Sequence, residues 1–404
     1  MSIVLHMDYS RLFSEDTYSF FRSPVRDIFK RVDLNAIHSF AGGYPSAETF
    51  PLDQFKATMC EVIDRYGGKA FQYGATQGVT ELREVLSSRY GVPVERIQIT
   101  SSSQQGIDVC TRILADPGDV ILTSDPSYLG ALQSFRSYRA DVTGVPHEDD
   151  PQAFREAYET VIGKLIGQGR KIKFLYMIPD FQNPSGETLS LEERQILVDL
   201  ARKYGFLIVE DSPYRELRYS GEHLPTIWSL APDIVLHLGS FSKIFAPGFR
   251  LGWIFGHPDV LDKIYVCKQS LDLCPPVFDQ YVAAEFMGSG RLDRNLAHSI
   301  DLYRSKRDLM LSLLGEYMSE GVSWTRPEGG LFLFLTMPEQ FDSVAFYDTA
   351  LDNGVAYVAG SFFRTDGGGR NTMRLNFSFM SHERIREGII LLAGLLRDEL
   401  SKLK

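Results

Sequence analysis

Cysteine is scarce: the 404 residues contain four, Cys60, Cys110, Cys267 and Cys274, at no spacing that a structural metal site uses. That excludes a disulfide scaffold, and the thiols read as reduced and mostly buried in a cytoplasmic protein. Long apolar runs are absent too; nothing approaches the roughly 20 residues that a membrane span needs. Residues 1–10 lack the basic and apolar regions of a secretion signal. The net charge of −10 is spread without long runs of one sign, which leaves no footprint for nucleic acid. There is no internal repeat, no low-complexity tract, and no Gly-x-Gly-x-x-Gly after the first strand, so a dinucleotide fingerprint is missing. The only loose patch is Thr365-Asp366-Gly367-Gly368-Gly369-Arg370, expected to be a mobile loop.

What is present is a chain that can bury a large core, with 44% hydrophobic residues and too much length for one simple unit. Over 95–255, apolar strand-like runs alternate with helical spacing, which predicts a mainly parallel α/β sheet between helices. Strands are expected over 97–100, 119–124, 173–179, 206–211 and 233–238, and a helix over 79–89. Later in the chain, helical stretches are expected over 258–288, 289–321 and 341–353, with strands over 324–335 and 371–378.

Polar groups gather where the early strands end. After Asp233-Ile234-Val235-Leu236-His237-Leu238 come Ser240, Ser242, Lys243 and, past a Pro-Gly turn, Arg250. A lysine at the end of a buried strand is costly unless paired or put to chemical use. The serines and arginine suit a phosphate. A phosphate beside a lysine that can be made nucleophilic points to pyridoxal 5′-phosphate held as a Schiff base. The alternative is a turn with a surface lysine. Ser101-Ser102-Ser103-Gln104 between a strand and a helix is a phosphate site on physical grounds, since free N–H groups and the helix dipole face the anion. It reads equally as an ordinary serine cap. Tyr128, just past another strand, is placed to stack on a planar ligand. Asn183, aimed by Pro184-Ser185-Gly186, can donate to a phenolate oxygen. Asp211, after four apolar residues and Glu210, suits an ion pair with a protonated pyridine nitrogen, with Tyr214 close behind. The acidic pair could instead hold a metal, but no histidine is near it in sequence. Arg374, in a late strand, could take a carboxylate bidentately or form a salt bridge at a sheet edge.

Ser240-Phe241-Ser242-Lys243-x₆-Arg250-Leu251-Gly252-Trp253 resembles the lysine signature of the fold-type I, class I/II aminotransferases. The likeness is greatest to the 2-aminoadipate and kynurenine aminotransferase II branch, and it runs from about residue 21 to the C-terminal helix. It implies an N-terminal segment over 1–45, a large cofactor-binding domain over 46–290 and a smaller α+β domain over 291–404. Ser103 and Gln104 match the family's phosphate pair, while Ser102 stands where relatives usually have glycine. By the same likeness, Tyr128 stacks on the cofactor ring, Arg374 anchors the substrate carboxylate, and the turn at Gly43-Tyr44 lies over the substrate. Arg26 would help sort substrate side chains, with the Phe362-Phe363 region nearby, and Tyr73 would reach the phosphate of a neighbouring subunit. The resemblance thus implies a homodimer that moves amino groups between α-amino acids and 2-oxo acids, 2-oxoglutarate among them. A lyase, decarboxylase or oxidase on the same fold, or a non-catalytic sensor, would share most of these motifs.

Overall fold

The structure, a computed structural model, describes residues 7–14, 17, 18, 20 and 36–403; Arg26 and much of the segment expected over 1–45 lie outside them. A short strand β1 (His38–Ser39) pairs in parallel with Val355–Ala356. Seven strands then build the central sheet: β2 (Ile97–Thr100), β3 (Val120–Asp125), β4 (Asp141–Pro146), β5 (Ile172–Met177), β6 (Leu207–Asp211), β7 (Val235–Ser240) and β8 (Gly252–Phe255). Their order is β2-β8-β7-β6-β5-β3-β4, parallel except for β8, which runs antiparallel to both neighbours. Every residue of β2, β3 and β7 is buried, as expected of strands covered on both faces. Helices connect the strands from β2 through β7, whereas β7 and β8 are joined by a short turn that includes Pro247–Phe249. The helix over Leu191–Tyr204 shows how local sequence sets its limits: Ser190 and Glu193 form a reciprocal cap, and Gly205 ends it in a left-handed conformation.

Of the late strands, β11 (Val355–Ala356) is the partner of β1, and a second sheet takes the other four: β9 (Ser323–Trp324), β10 (Phe332–Thr336), β12 (Val358–Ala359) and β13 (Thr372–Asn376). Its order is β12-β13-β10-β9, antiparallel throughout. The 27-residue helix Arg291–Tyr317 packs against the C-terminal helix His382–Ser401. Among the described residues, no helix is long and apolar enough to cross a membrane.

Four expectations need correction. The stretch 258–288 is two helices, Pro258–Leu271 and Val277–Gly288, because Pro275 and Pro276 between them cannot donate to a helical ladder. The helix expected over 341–353 occupies only Tyr347–Asp352; before it, the Asp342 carboxylate takes the N–H groups of Val344 and Ala345 and holds a turn. The strand expected over 324–335 is broken by a turn in which Gly330 has φ 71°. The loop 365–370 is tied at both ends, by Thr365 N–H to Asp125 and by the Arg370 guanidinium to Asp342.

Candidate active site

The strand ends of the central sheet and the face of β13 border one cleft of about 1020 Å³. All sequence-predicted site residues line it except Tyr73, which is 81% exposed, and Arg26, which lies outside the described residues. Lys243 follows β7, and its Nζ donates to the Gly43 carbonyl at 2.7 Å. Burial, reinforced by the charges of Arg374 and Arg250, pulls its ammonium down to about 8.

One end of the cleft is built for an anion. Ser102 opens the helix Ser102–Leu114, so the unpaired N–H groups of the first turn face the cleft. The Arg250 guanidinium donates to Ser102 Oγ at 2.6 Å, and Ser240 Oγ accepts the Ser242 N–H at 3.2 Å. Ser102 has φ 67°, a left-handed conformation that glycine adopts without strain, which explains the glycine usual at this position in the resembled family. Gly252 on β8 lies directly beneath: a Cβ there would stand 2.8 Å from Ser103 N, so the glycine lets the loop rest on bare strand. A polar network braces the loop from behind. Gln105 Oε1 accepts the Ser101 N–H and the fully buried Lys268 ammonium, each at 2.8 Å, and Lys268 also pairs with Asp272 at 2.9 Å. Sequence reading had no signal for Lys268, whose apolar-face position is visible only in the packed helix.

At the opposite end, Asp211 closes β6, almost wholly buried. Its Oδ2 accepts the Tyr176 hydroxyl at 2.8 Å, while Oδ1 has no hydrogen-bond partner. Burial pushes the carboxyl up to about 7 against the downward pull of Tyr176 and His237. Tyr176 is an internal residue of β5 that was not singled out in the sequence. Glu210, the preceding residue, points to the other side of the sheet as strand alternation requires. There it accepts the N–H groups of Ile227 and Trp228 and contacts His237 Nδ1 at 3.2 Å. The two acids therefore serve different faces, and no group of three potential metal ligands occurs among the described residues.

Arg374 on β13 is buried, and burial draws it down to about 10. It donates to Asn183 Oδ1 at 2.8 Å and to the Ala41 carbonyl. Its guanidinium carbon lies over the Phe332 ring, 4.2 Å from its centre, and over the Phe363 ring, 5.0 Å from its centre, within reach of cation–π attraction from both. Phe363 lines the cleft; Phe362 is not among its lining residues. Tyr128 donates to Gln104 at 3.2 Å, and Tyr214 packs edge-on against Phe332 at 5.8 Å.

Pyridoxal 5′-phosphate fits this donor set. The partnerless Asp211 Oδ1 matches a protonated pyridine nitrogen, the helix N-terminus with Arg250 matches a phosphate, and Lys243 lies in the same cleft.

Known proteins resemble this chain over nearly its whole length. The family model for aminotransferase class I and II matches residues 41–390. An aromatic-amino-acid aminotransferase of Thermococcus litoralis is 41% identical over 98% of this chain and 96% of its own. A solved kynurenine aminotransferase of Pyrococcus horikoshii superposes with a TM-score of 0.92 at 41% identity, covering 97% of this chain and 98% of that one. The alpha-aminoadipate aminotransferase of Thermus thermophilus, solved with N-(5′-phosphopyridoxyl)-L-leucine, gives 0.89 at 33% identity, covering 98% of this chain and 100% of that one. With matches that run nearly from end to end, the chain belongs to the class I and II aminotransferases.

Proposed function

We propose that this aminotransferase takes the amino group from an L-α-amino acid with an aromatic or other apolar side chain and passes it to a 2-oxo acid in two alternating half-reactions. The observation that carries the substrate class is the lining of the cleft. Its described cations are Lys243, Arg250 and Arg374, while Phe20, Tyr44, Ile178, Phe332 and Phe363 supply apolar and aromatic surface. The Thermococcus relative named for aromatic amino acids supports the same class. For 2-oxoglutarate as acceptor, the second carboxylate would need a further partner, and Arg26 is the residue proposed for it.

The cofactor is pyridoxal 5′-phosphate, which when bound supplies a carbonyl for the amine and an electron sink for the Cα–H bond. Arg374 holds the substrate carboxylate and so fixes which bond at Cα is exposed for cleavage. Lys243, with its ammonium drawn down to about 8, can be deprotonated near neutral pH and carries the proton away from Cα. Asp211 keeps the pyridine nitrogen protonated, and Asn183 and Tyr214 serve the ring oxygen. Ser102, Ser103, Gln104, Ser240, Ser242 and Arg250 would hold the phosphate, and Tyr128 would take the ring.

We further propose a homodimer in the cytoplasm, with residues 46–290 as the cofactor domain and 291–404 as the smaller one. Supporting the dimer, Tyr73 and Phe71 are 81% and 66% exposed, apolar surface fit for a second copy. An exposed Cys60 and three other free thiols suit a reducing compartment.

The test adds amino acids one at a time to the purified holoenzyme while its visible absorbance is followed. An aromatic amino acid should bleach the band and a 2-oxo acid should restore it, and Lys243→Ala should lose both the band and turnover. Bleaching that no 2-oxo acid reverses would replace transfer with a lyase or oxidase reaction.

A further inference from the structure

The loop after β12 reaches across to the central sheet and is gripped there. Phe363 O accepts the Ser127 N–H at 2.8 Å, and Thr365 N–H donates to Asp125 Oδ1 at 3.1 Å. Arg364 Nη1 donates to the Asp125 carbonyl at 3.1 Å and lies 3.5 Å from Oδ2. From the next helix, Arg136 Nη2 donates to Thr365 O at 3.2 Å. The contact needs a bare strand beneath it: a Cβ on Gly144 of β4 would stand 2.5 Å from Thr365 Oγ1 and 2.7 Å from Asp125 Cβ. Asp125 is only 8% exposed, and three residues after it stands Tyr128, which lines the cleft. Phe363, caught between these grips, is fully buried with its ring 5.0 Å from the Arg374 guanidinium. Asp125 itself is not among the residues that line the cleft.

We infer that Asp125 is a positioning residue: by clamping the 364–365 segment over Gly144, next to the Phe363 carbonyl that Ser127 holds, it keeps Phe363 against Arg374 and so sets the affinity of the site for a substrate carboxylate. It touches neither substrate nor cofactor. The inference rests on the reading of Arg374 as the carboxylate anchor. Loss of the clamp leaves Phe363 held by the Ser127 N–H alone, so its ring can shift away from the guanidinium that it now packs against.

The test uses the holoenzyme and 3-phenylpropanoate, an unreactive aromatic carboxylate, with dissociation constants from calorimetry. KM and kcat for an aromatic amino acid and the dissociation constant of pyridoxal 5′-phosphate are measured beside it. Asp125→Ala and Gly144→Ala should each weaken 3-phenylpropanoate and raise KM by about five- to tenfold, the worth of one or two net hydrogen bonds. In both, kcat and cofactor affinity should stay within about twofold. Asp125→Asn, which keeps the oxygen that accepts Thr365 N–H, should recover most of the loss. If Asp125→Ala proves too unstable to purify, Arg136→Ala removes only the outer grip and should show the same split at about two- to threefold. Unchanged 3-phenylpropanoate binding in Asp125→Ala overturns the inference, as does a cofactor affinity that falls in step. Arg374→Ala separates the two readings: if it retains full 3-phenylpropanoate binding, the anchor itself is wrong. If it loses binding while Asp125→Ala does not, the anchor stands and the clamp falls.

Discussion

Arg250 and Ser102 meet at 2.6 Å although 148 positions separate them, and the serine pays for the meeting with a left-handed φ of 67°. Left-handed backbone costs a residue with a Cβ roughly 1–2 kcal/mol. Ser102→Gly removes that strain but adds about 0.5–1 kcal/mol of unfolded-chain entropy. Stability of the cofactor-free protein should therefore stay level or rise by up to about 1.5 kcal/mol. Cofactor affinity should fall several-fold because Arg250 loses its tether. Thermal melting and a cofactor titration read the two effects separately; an unchanged affinity would mean that Arg250 needs no help from the hydroxyl.

Asp211 and Lys243 tie the stability of the cofactor-free protein to pH with opposite slopes. Asp211 is pushed up to about 7, so across the window from an ordinary carboxylate value of about 4 up to 7 the folded state keeps a proton that the unfolded chain has released. Stability therefore falls as pH rises through that window. Lys243 is pulled down to about 8, so from 8 up to an ordinary lysine value of about 10.4 the unfolded chain holds the extra proton and stability rises with pH. The minimum contribution of this pair lies between pH 7 and 8. Asp211→Asn should melt at nearly the wild-type temperature near pH 4 and several degrees higher at pH 8, at about 2–4 °C per kcal/mol or somewhat less for a chain this long. A gap that stays constant across the range would show that burial does not shift Asp211.

Arg374→Lys keeps the charge and loses both the bidentate fork and the stacking on Phe332 and Phe363. Charge-assisted hydrogen bonds are worth about 1.5–3 kcal/mol, so kcat/KM should drop by about 10- to 100-fold for amino acid and 2-oxo acid alike. Steady-state kinetics with both substrates test this, while the cofactor dissociation constant serves as the control that should not move.

Lys268→Met leaves Asp272 and the Gln105 oxygen short of a donor beneath the anion-binding loop. Because Asp272 keeps some exposure, the loss of stability should be about 1–3 kcal/mol rather than that of a fully buried pair. Chemical denaturation measures it. A cofactor affinity that declines at the same time would show that the loop, Ser101 included, leans on this network.

The sequence announced the central sheet because its strands are short apolar runs, each ending in a polar cluster, and the same runs carried Lys243, Asp211, Asn183 and Ser103 to one edge. Proline marks the interruption at 275–276 as plainly as any strand, yet helical spacing on either side masked it. Asp125 and Tyr176 were illegible for another reason: each acts across strands, and a sequence shows which face a residue takes only after the register is known. The triplet Gly367-Gly368-Gly369 suggested looseness from composition alone, whereas the residues flanking it, Thr365 and Arg370, hold the loop by long-range contacts.

The insertion of β8 between β2 and β7 imposes a timetable on synthesis. A ribosome releases the chain from its N-terminus at about 5–20 residues per second. Ser102 and the helix it begins are therefore made well before Arg250 and Gly252, on which the anion-binding loop depends. A nascent chain stopped before β8 can have its early strands but lacks the floor of the phosphate cup. Arg374 arrives later still. The parts of the phosphate cup are thus all present in the growing chain before the substrate anchor is made.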